Sequence, residues 1–335
     1  MLYLFKIKPF KKIDMKLLRK SIVLLLSLIA GTLYAQEDVA KFLKGSLNDA
    51  EKLSKAYLEP FGKSLGTSLN SGWYNSANPH GILGFDITFT VPITIPPSSD
   101  KTFDVSKLNL EYWQVKSGSS STSPTVTGKS SNTILTDKAT GLSELNMPDG
   151  ANLKFVPAPM IQVAKGLPFH TEIVGRFLPT INISSVGNFG LWGVGVKNEF
   201  KEFIPFVKRL PFSMSVLFGY TQFTSSFDIN KAQKQKLNFK SSGYTARLLV
   251  SKSIPVLTVY GGLGYNHSTT DISLKGTYNV DGVGTVTDPI AFDFANNGFT
   301  ANLGLRLKLA ILAFHFDYSL GNYGIFNAGV GINFR

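Results

Sequence analysis

The 335-residue chain has no cysteine, which excludes a disulfide framework, a thiolate metal site, a cysteine nucleophile and a lipidated cysteine. Beyond its first 35 residues it also lacks any apolar run approaching the ~20 residues that a spanning helix needs. No basic stripe interleaved with aromatics is present, so nucleic acid is not expected as a partner. The four histidines, His80, His170, His267 and His315, are scattered without metal-ligand spacing. Gly261-Gly262-Leu263-Gly264 and Gly193-Val194-Gly195 fall inside strand patterns with no helix following, so they read as relief of crowding rather than as phosphate loops. No cofactor is expected.

What is present begins with an address. Lys16, Arg19 and Lys20 precede an apolar core from Ile22 to Ala30, and Leu33-Tyr34-Ala35 before Gln36 reads as a cleavage site. Residues 1–35 are therefore expected to be a signal peptide, with Met15 as its start and residues 1–14 as an upstream extension. The formal net charge of +12 falls to +6 once this segment is set aside, because it holds seven basic residues and one acid. Half of the apparent basicity is targeting chemistry.

In the segment 36–80 the pattern is helical from Glu37 to about Leu69: Val39, Phe42/Leu43, Leu47, Ala50, Leu53, Tyr57, Phe61, Leu65 and Leu69 recur at three- and four-residue steps. Pro60 and Gly62 are expected to split the helix in two. Asn70 to Gly81 is a run of turn formers around Trp73 and Tyr74. The segment is expected either as a plug in a barrel lumen, with Tyr57, Phe61, Trp73 and Tyr74 as its anchoring residues, or as a periplasmic piece packed beneath the barrel.

From residue 81 to 335 the period becomes two. Strands are expected near 85–93, 158–165, 168–178, 188–199, 211–225, 239–252, 255–267, 297–309, 311–320 and 323–334. Faces such as Leu303, Leu305, Leu307, Leu309 are apolar and their opposite faces are polar. Connections alternate between short ones, at 165–168, 253–255 and 310–311, and longer polar ones, at 96–152, 226–238 and 269–296. That asymmetry is the pattern of an outer-membrane barrel and puts both termini on the periplasmic side. A soluble sandwich gives the same alternation, so the leader, the loop asymmetry and the last strand must decide together. That strand, Ile325 to Phe334, alternates apolar residues up to a near-terminal aromatic and resembles the signature strand that the outer-membrane assembly machinery reads. The fold class is an all-β, antiparallel transmembrane barrel of about 10 to 12 strands, twelve if 96–152 contributes a hairpin, with an N-terminal helical plug segment. The stretch 199–210 is expected as a small amphipathic helix at the periplasmic rim.

With apolar faces on lipid, the lumen receives Asp86, His170, Glu172, Arg176, Lys197, Arg247, Arg306, Lys308, His315, Asp317 and Asn333. Mixed charges on neighbouring strands are expected to pair, gluing the strands and anchoring the plug; a polar throat that selects a solute is the alternative. His315, Asp317 and Ser319 share a face, as in a lipid hydrolase of the outer membrane. Any i, i+2, i+4 trio does so, and adjacency along one strand is not triad geometry. The chain is expected not to be an enzyme.

Ala56-Tyr57-Leu58-Glu59-Pro60-Phe61, Leu69 to Ala77, Gly84-Phe85-Asp86-Ile87-Thr88-Phe89 and Leu191-Trp192-Gly193-Val194-Gly195-Val196-Lys197 resemble a family of Gram-negative outer-membrane barrels of unknown function. More remotely, the helical segment ahead of the first strand is similar to the hatch of the long-chain fatty-acid outer-membrane transporter family. These resemblances imply an outer-membrane location, contact with its lipid, and passive passage of a small, hydrophobic solute through a plugged barrel. The competing expectation is a non-transporting structural or surface-interaction barrel acting through its long loops.

Overall fold

The computed structural model describes residues 41–183, 187–230, 232–280 and 283–334. The expected leader and the terminal Arg335 lie outside the described residues. Ten strands make the wall: β1 (Phe85–Ile95), β2 (Met160–Leu167), β3 (Thr171–Ile183), β4 (Gly187–Glu199), β5 (Ser213–Asn230), β6 (Gln235–Ser253), β7 (Leu257–Lys275), β8 (Ile290–Leu309), β9 (Leu312–Leu320) and β10 (Gly324–Phe334). Each pairs antiparallel with its neighbour in sequence. The ring closes where β1 meets β10, from Phe85 opposite Phe334 to Ile95 opposite Gly324. Closure removes the unpaired edges that a half-apolar sheet would otherwise expose.

The wall has two zones of opposite polarity. Near the short turns the outward side chains are apolar, among them Phe218, Leu248, Leu263, Leu303 and Phe314, while Ser215, Thr245, Arg247 and Asp317 point inward and are buried. This is the arrangement of strands whose outer face meets hydrocarbon. A line of aromatics bounds the belt on its far side: Trp192, Tyr220 and Tyr244 in edge and tilted contacts of 5.2 and 4.7 Å, and Tyr265 against Phe299 at 5.4 Å. Beyond it the strands continue and the polarity reverses. Asp228, Lys236, Lys240, Asp271 and Asp293 now face out, and Phe227, Phe239, Ile272, Leu274, Phe292 and Phe294 face in. The same period of two gives an apolar outer face below the line and a polar one above it.

This reversal corrects two expected loops. The stretches 226–238 and 269–296 are mostly strand, with β7 running to Lys275 and β8 starting at Ile290, and a small hairpin, Thr277–Val280 against Gly284–Thr287, joins them. The 96–152 connection is also built: Thr102–Asp104 pairs with Thr122–Pro124, and Trp113–Val115, Ile134–Asp137 and Glu144–Asn146 form a three-stranded sheet. None of these joins the wall, so the count stays at ten rather than twelve.

Helix α1 (Leu47–Leu69) is unbroken over 23 residues, about 34 Å at the usual rise. Pro60 lies inside it, and Gly62 is a contact rather than a breaker, since a Cβ there would sit 2.5 Å from the Phe294 ring. Packing on every side outweighs the local preference to stop. The N-terminal half of α1 shares one apolar core with the 96–152 sheets and the upper wall, including Phe42, Leu53, Tyr57, Trp113, Leu135 and Phe292. Its Asp49 carboxylate accepts the backbone N–H groups of Glu111, Tyr112 and Trp113 at 2.6, 2.8 and 2.9 Å. We refer to this assembly as the cap.

From Leu69 the chain descends through the lumen to the short-turn end, where β1 starts. Lys41, the first described residue, is thus at the long-loop end and Phe334 at the short-turn end; the expectation that both termini share one side concerns ends that lie outside the described residues. At that rim, α2 (Pro205–Lys208) and its flanks expose Phe203, Ile204 and Leu210 away from the plug.

The plugged lumen as candidate functional site

A helix ends with carbonyls that have no intrahelical partner and with the negative pole of its dipole. The last turn of α1 contains no basic residue. The wall supplies the charge instead. Arg176 on β3 donates to the carbonyls of Leu69 (2.9 Å) and Ser71 (2.6 Å), and Arg247 on β6 donates to that of Asn70 (3.2 Å). Arg176 also donates to Gln162 Oε1 at 3.0 Å and to Thr221 Oγ1 at 3.3 Å, and its guanidinium lies 3.5 Å from the centre of the Trp73 ring. The indole is seated against bare backbone, because Cβ atoms at Gly195 and Gly219 would fall 2.7 and 2.5 Å from it. Gln162 Nε2 completes the grip by donating to the Trp73 carbonyl at 3.2 Å.

A second layer holds Tyr74. Its hydroxyl donates to Asn302 Oδ1, and its ring meets Tyr260 edge-on at 5.8 Å. Tyr260 donates to Asp317 Oδ2 at 3.0 Å, and Asn327 donates to Asp317 Oδ1 at 2.8 Å while also bonding Ser71. The buried carboxylate is therefore tied to the plug through neutral amides and hydroxyls.

The third layer closes the short-turn end. Lys197 Nζ lies 2.9 Å from Glu172 Oε1 and donates to the Ser76 carbonyl at 3.1 Å. Glu172 Oε2 is 2.7 Å from His80 Nδ1 and accepts the His80 backbone N–H at 2.9 Å, while the other ring nitrogen is 3.6 Å from Asp86 Oδ2. Asn333, one residue from the end of β10, contacts His80 Nε2 at 2.6 Å and accepts from Lys308 at 2.6 Å. Ser215 donates to the Ala77 carbonyl and Ser251 accepts the Ala77 N–H at 2.9 Å.

Of the residues expected inside, Asp86, Glu172, Arg176, Lys197, Arg247, His315, Asp317 and Asn333 are inward and buried, and Arg306 is inward, partly buried and opposite His315. His170 is not inside. It occupies the three-residue turn Pro168-Phe169-His170, with Phe169 and His170 both at positive φ, and is exposed. Trp73 and Tyr74 lie in the polar lower lumen, whereas Tyr57 and Phe61 lie in the upper apolar zone, where Tyr57 packs edge-on to Phe42 and Phe61 to Phe239. His315 and Asp317 share a face without contact: His315 Nε2 is 3.5 Å from Thr90 Oγ1, and Ser319 Oγ rests 3.5 Å from Asp317 Oδ1. These partners do not assemble a relay. The neutral residues Gln162, Asn302 and Asn327 carry much of the network and were missed in sequence, where only their inward phase marked them.

Two crevices beside the plug are small. One crevice, between α1 and the upper wall at Phe61, Leu65, Phe189 and Phe227, and another near Asn70, Asn266 and Asn296 each hold about 20 Å³, close to the room one water needs. Larger hollows, of about 520 and 720 Å³ around Phe218, Tyr244, Tyr265 and Phe299 and of about 550 Å³ around Thr224, Lys240 and Asp271, lie along the wall strands.

Among solved structures, the chain is similar to Ail, the attachment invasion locus protein of Yersinia pestis, at 10% identity over 75% of this chain and 98% of that one, with a TM-score of 0.30. It is likewise similar to the translocator domain of the autotransporter NalP from Neisseria meningitidis, at 11% identity over 76% and 89% of the two chains, with a TM-score of 0.33. At such scores the barrel rests on its own strand pairing. No curated protein matches the chain. One family model does match, over residues 15–334, and the chain belongs to that family, a family of unknown function designated DUF6588.

Proposed function

We propose that the protein is an outer-membrane barrel with a sealed lumen, which holds a folded cap at the cell surface and acts there as a non-transporting structural and interaction protein. The observation that carries this reading is that one helix does two jobs. The lower end of α1 and its tail fill the lumen through the three polar layers, and its upper half is the core of the cap. Moving the plug to open a path would dismantle the cap. Outer-membrane lipid meets the apolar belt, the assembly machinery reads the strand ending at Phe334, and the reading includes no catalytic step.

Passive passage of a small hydrophobic solute is the competing reading, and it requires α1 to shift, since the crevices beside it hold about 20 Å³ each. Planar-bilayer recording and uptake into liposomes separate the two. The intact protein is expected to pass no current and to admit neither a fatty acid nor an aromatic compound. Steady conductance or saturable uptake by the wild-type chain would overturn the sealed-barrel reading.

A further inference from the structure

We infer that α1 is threaded outward, so that the barrel carries its own N-terminal segment to the cell surface and displays whatever chain is joined ahead of Lys41. This rests on the reading above, in which the short turns and Phe334 face the periplasm.

The direction of threading is set by matching polarity along the segment to polarity along the lumen. The first part, from Phe42 through Leu53, Tyr57 and Phe61 to Leu65, is apolar and lies in the apolar upper zone and cap. The second part, Asn70, Ser71, Asn75 and Ser76, is polar and buried in the polar lower zone. Reversing the segment would put leucines and phenylalanines among Arg176, Arg247 and Asp317, and asparagines among Phe239, Phe292 and Phe294. Both exchanges bury polar groups without partners, which is unfavourable.

The ends of the segment are fastened in the same sense. At the upper end the Lys44 carbonyl accepts from Trp113 Nε1 at 3.0 Å, and Lys44 Nζ donates to the Glu144 carbonyl at 3.1 Å, both partners being in the cap. Ser46 caps the helix beside them, and Lys41 is exposed. At the lower end His80 is locked to Glu172 next to the first short turn. The helix macrodipole agrees: its negative pole faces the two wall arginines and its positive pole lies in the cap beside Asp49, whose carboxylate accepts three cap N–H groups. The N-terminal part of this segment therefore crosses the barrel during assembly, before β1 and β10 seal around α1.

The absence of cysteine makes the test direct. Single variants Lys41→Cys, Leu142→Cys in the cap and Phe169→Cys in a short turn are treated in intact cells with a membrane-impermeant maleimide, and assembly of each is checked by heat-dependent gel mobility. Lys41→Cys is expected to label as fully as Leu142→Cys, with Phe169→Cys labelling only after lysis. If Leu142→Cys labels in intact cells and Lys41→Cys needs lysis, the threading inference is wrong while the barrel orientation stands. If Phe169→Cys labels and Leu142→Cys does not, the orientation itself is inverted and the inference falls with it. An epitope inserted ahead of Lys41 gives an independent readout: antibody binding to intact cells supports display, and binding only after lysis overturns it.

Discussion

The guanidinium of Arg176 and the indole of Trp73 stack at 3.5 Å, one from the wall and the other from the plug, and both are fully enclosed. The same guanidinium donates to the Leu69 and Ser71 carbonyls on either side of the helix terminus. A flat group with several fixed donors can do both, whereas an ammonium cannot. Arg176→Ala should therefore cost about 2–4 kcal/mol, because it strands two carbonyls and Gln162 as well as the ring. Arg176→Lys should recover less than half of that. Denaturant unfolding in detergent measures both, and full rescue by lysine would contradict the role assigned to the planar fork.

Glu172 and Lys197 form a buried pair with His80 leaning on the same carboxylate. Glu172→Gln is expected to destabilise by about 3 kcal/mol, since it leaves the lysine enclosed without its counter-charge. Glu172→Leu with Lys197→Met should be milder than either single change. A double-mutant cycle with no coupling between the two sites would mean that each is held by other partners.

The polarity reversal at the aromatic line predicts opposite responses to one kind of substitution. Leu263→Arg, in the belt, should cost about 2–4 kcal/mol and lower the assembled fraction. Lys240→Leu, outward but above the line, should change stability little, whereas Phe239→Ala beside it should cost about 3–5 kcal/mol by opening the upper core. Fractionation and unfolding of the three variants check the boundary; an intolerant Lys240→Leu would move it.

The cap has an acid response set by Asp137. Backbone N–H groups of Thr140 and Ser143 hold its carboxylate far below the usual range, with bonds of 2.6 and 2.8 Å. A depressed folded-state pKa gives stability that is present above the unfolded value, roughly 3.9, and is lost as pH falls from there toward the folded value. Protease resistance of the cap is expected to be flat from neutral pH to about pH 4 and to fall below it. Asp137→Asn should lower resistance at neutral pH and flatten the acid limb, and an unchanged acid limb would assign it to another group.

Much of this was legible in the chain. Period-two faces located all ten wall strands, and phase alone put Arg176, Arg247 and Asp317 inward, because side-chain direction in a strand is fixed by counting. The upper wall was misread for a physical reason. Asp271, Ser273 and Lys275 were taken as loop, although they alternate with Ile272 and Leu274, because only one polarity was expected on the outer face. Pro60 misled because its local penalty is small beside the burial of α1. Which way the helix threads, and which carbonyls the arginines meet, depend on register between distant segments, and no periodicity carries that information.

The pairing of β1 with β10 joins the first wall segment to leave the ribosome to the last. A nascent chain that stops anywhere before Gly324 has no clasp, and it exposes the backbone edge of β1 together with an unenclosed helix. Completion of synthesis thus becomes a checkpoint built into the fold: only a chain that reaches β10 can shut the ring, and a truncated one keeps an open edge.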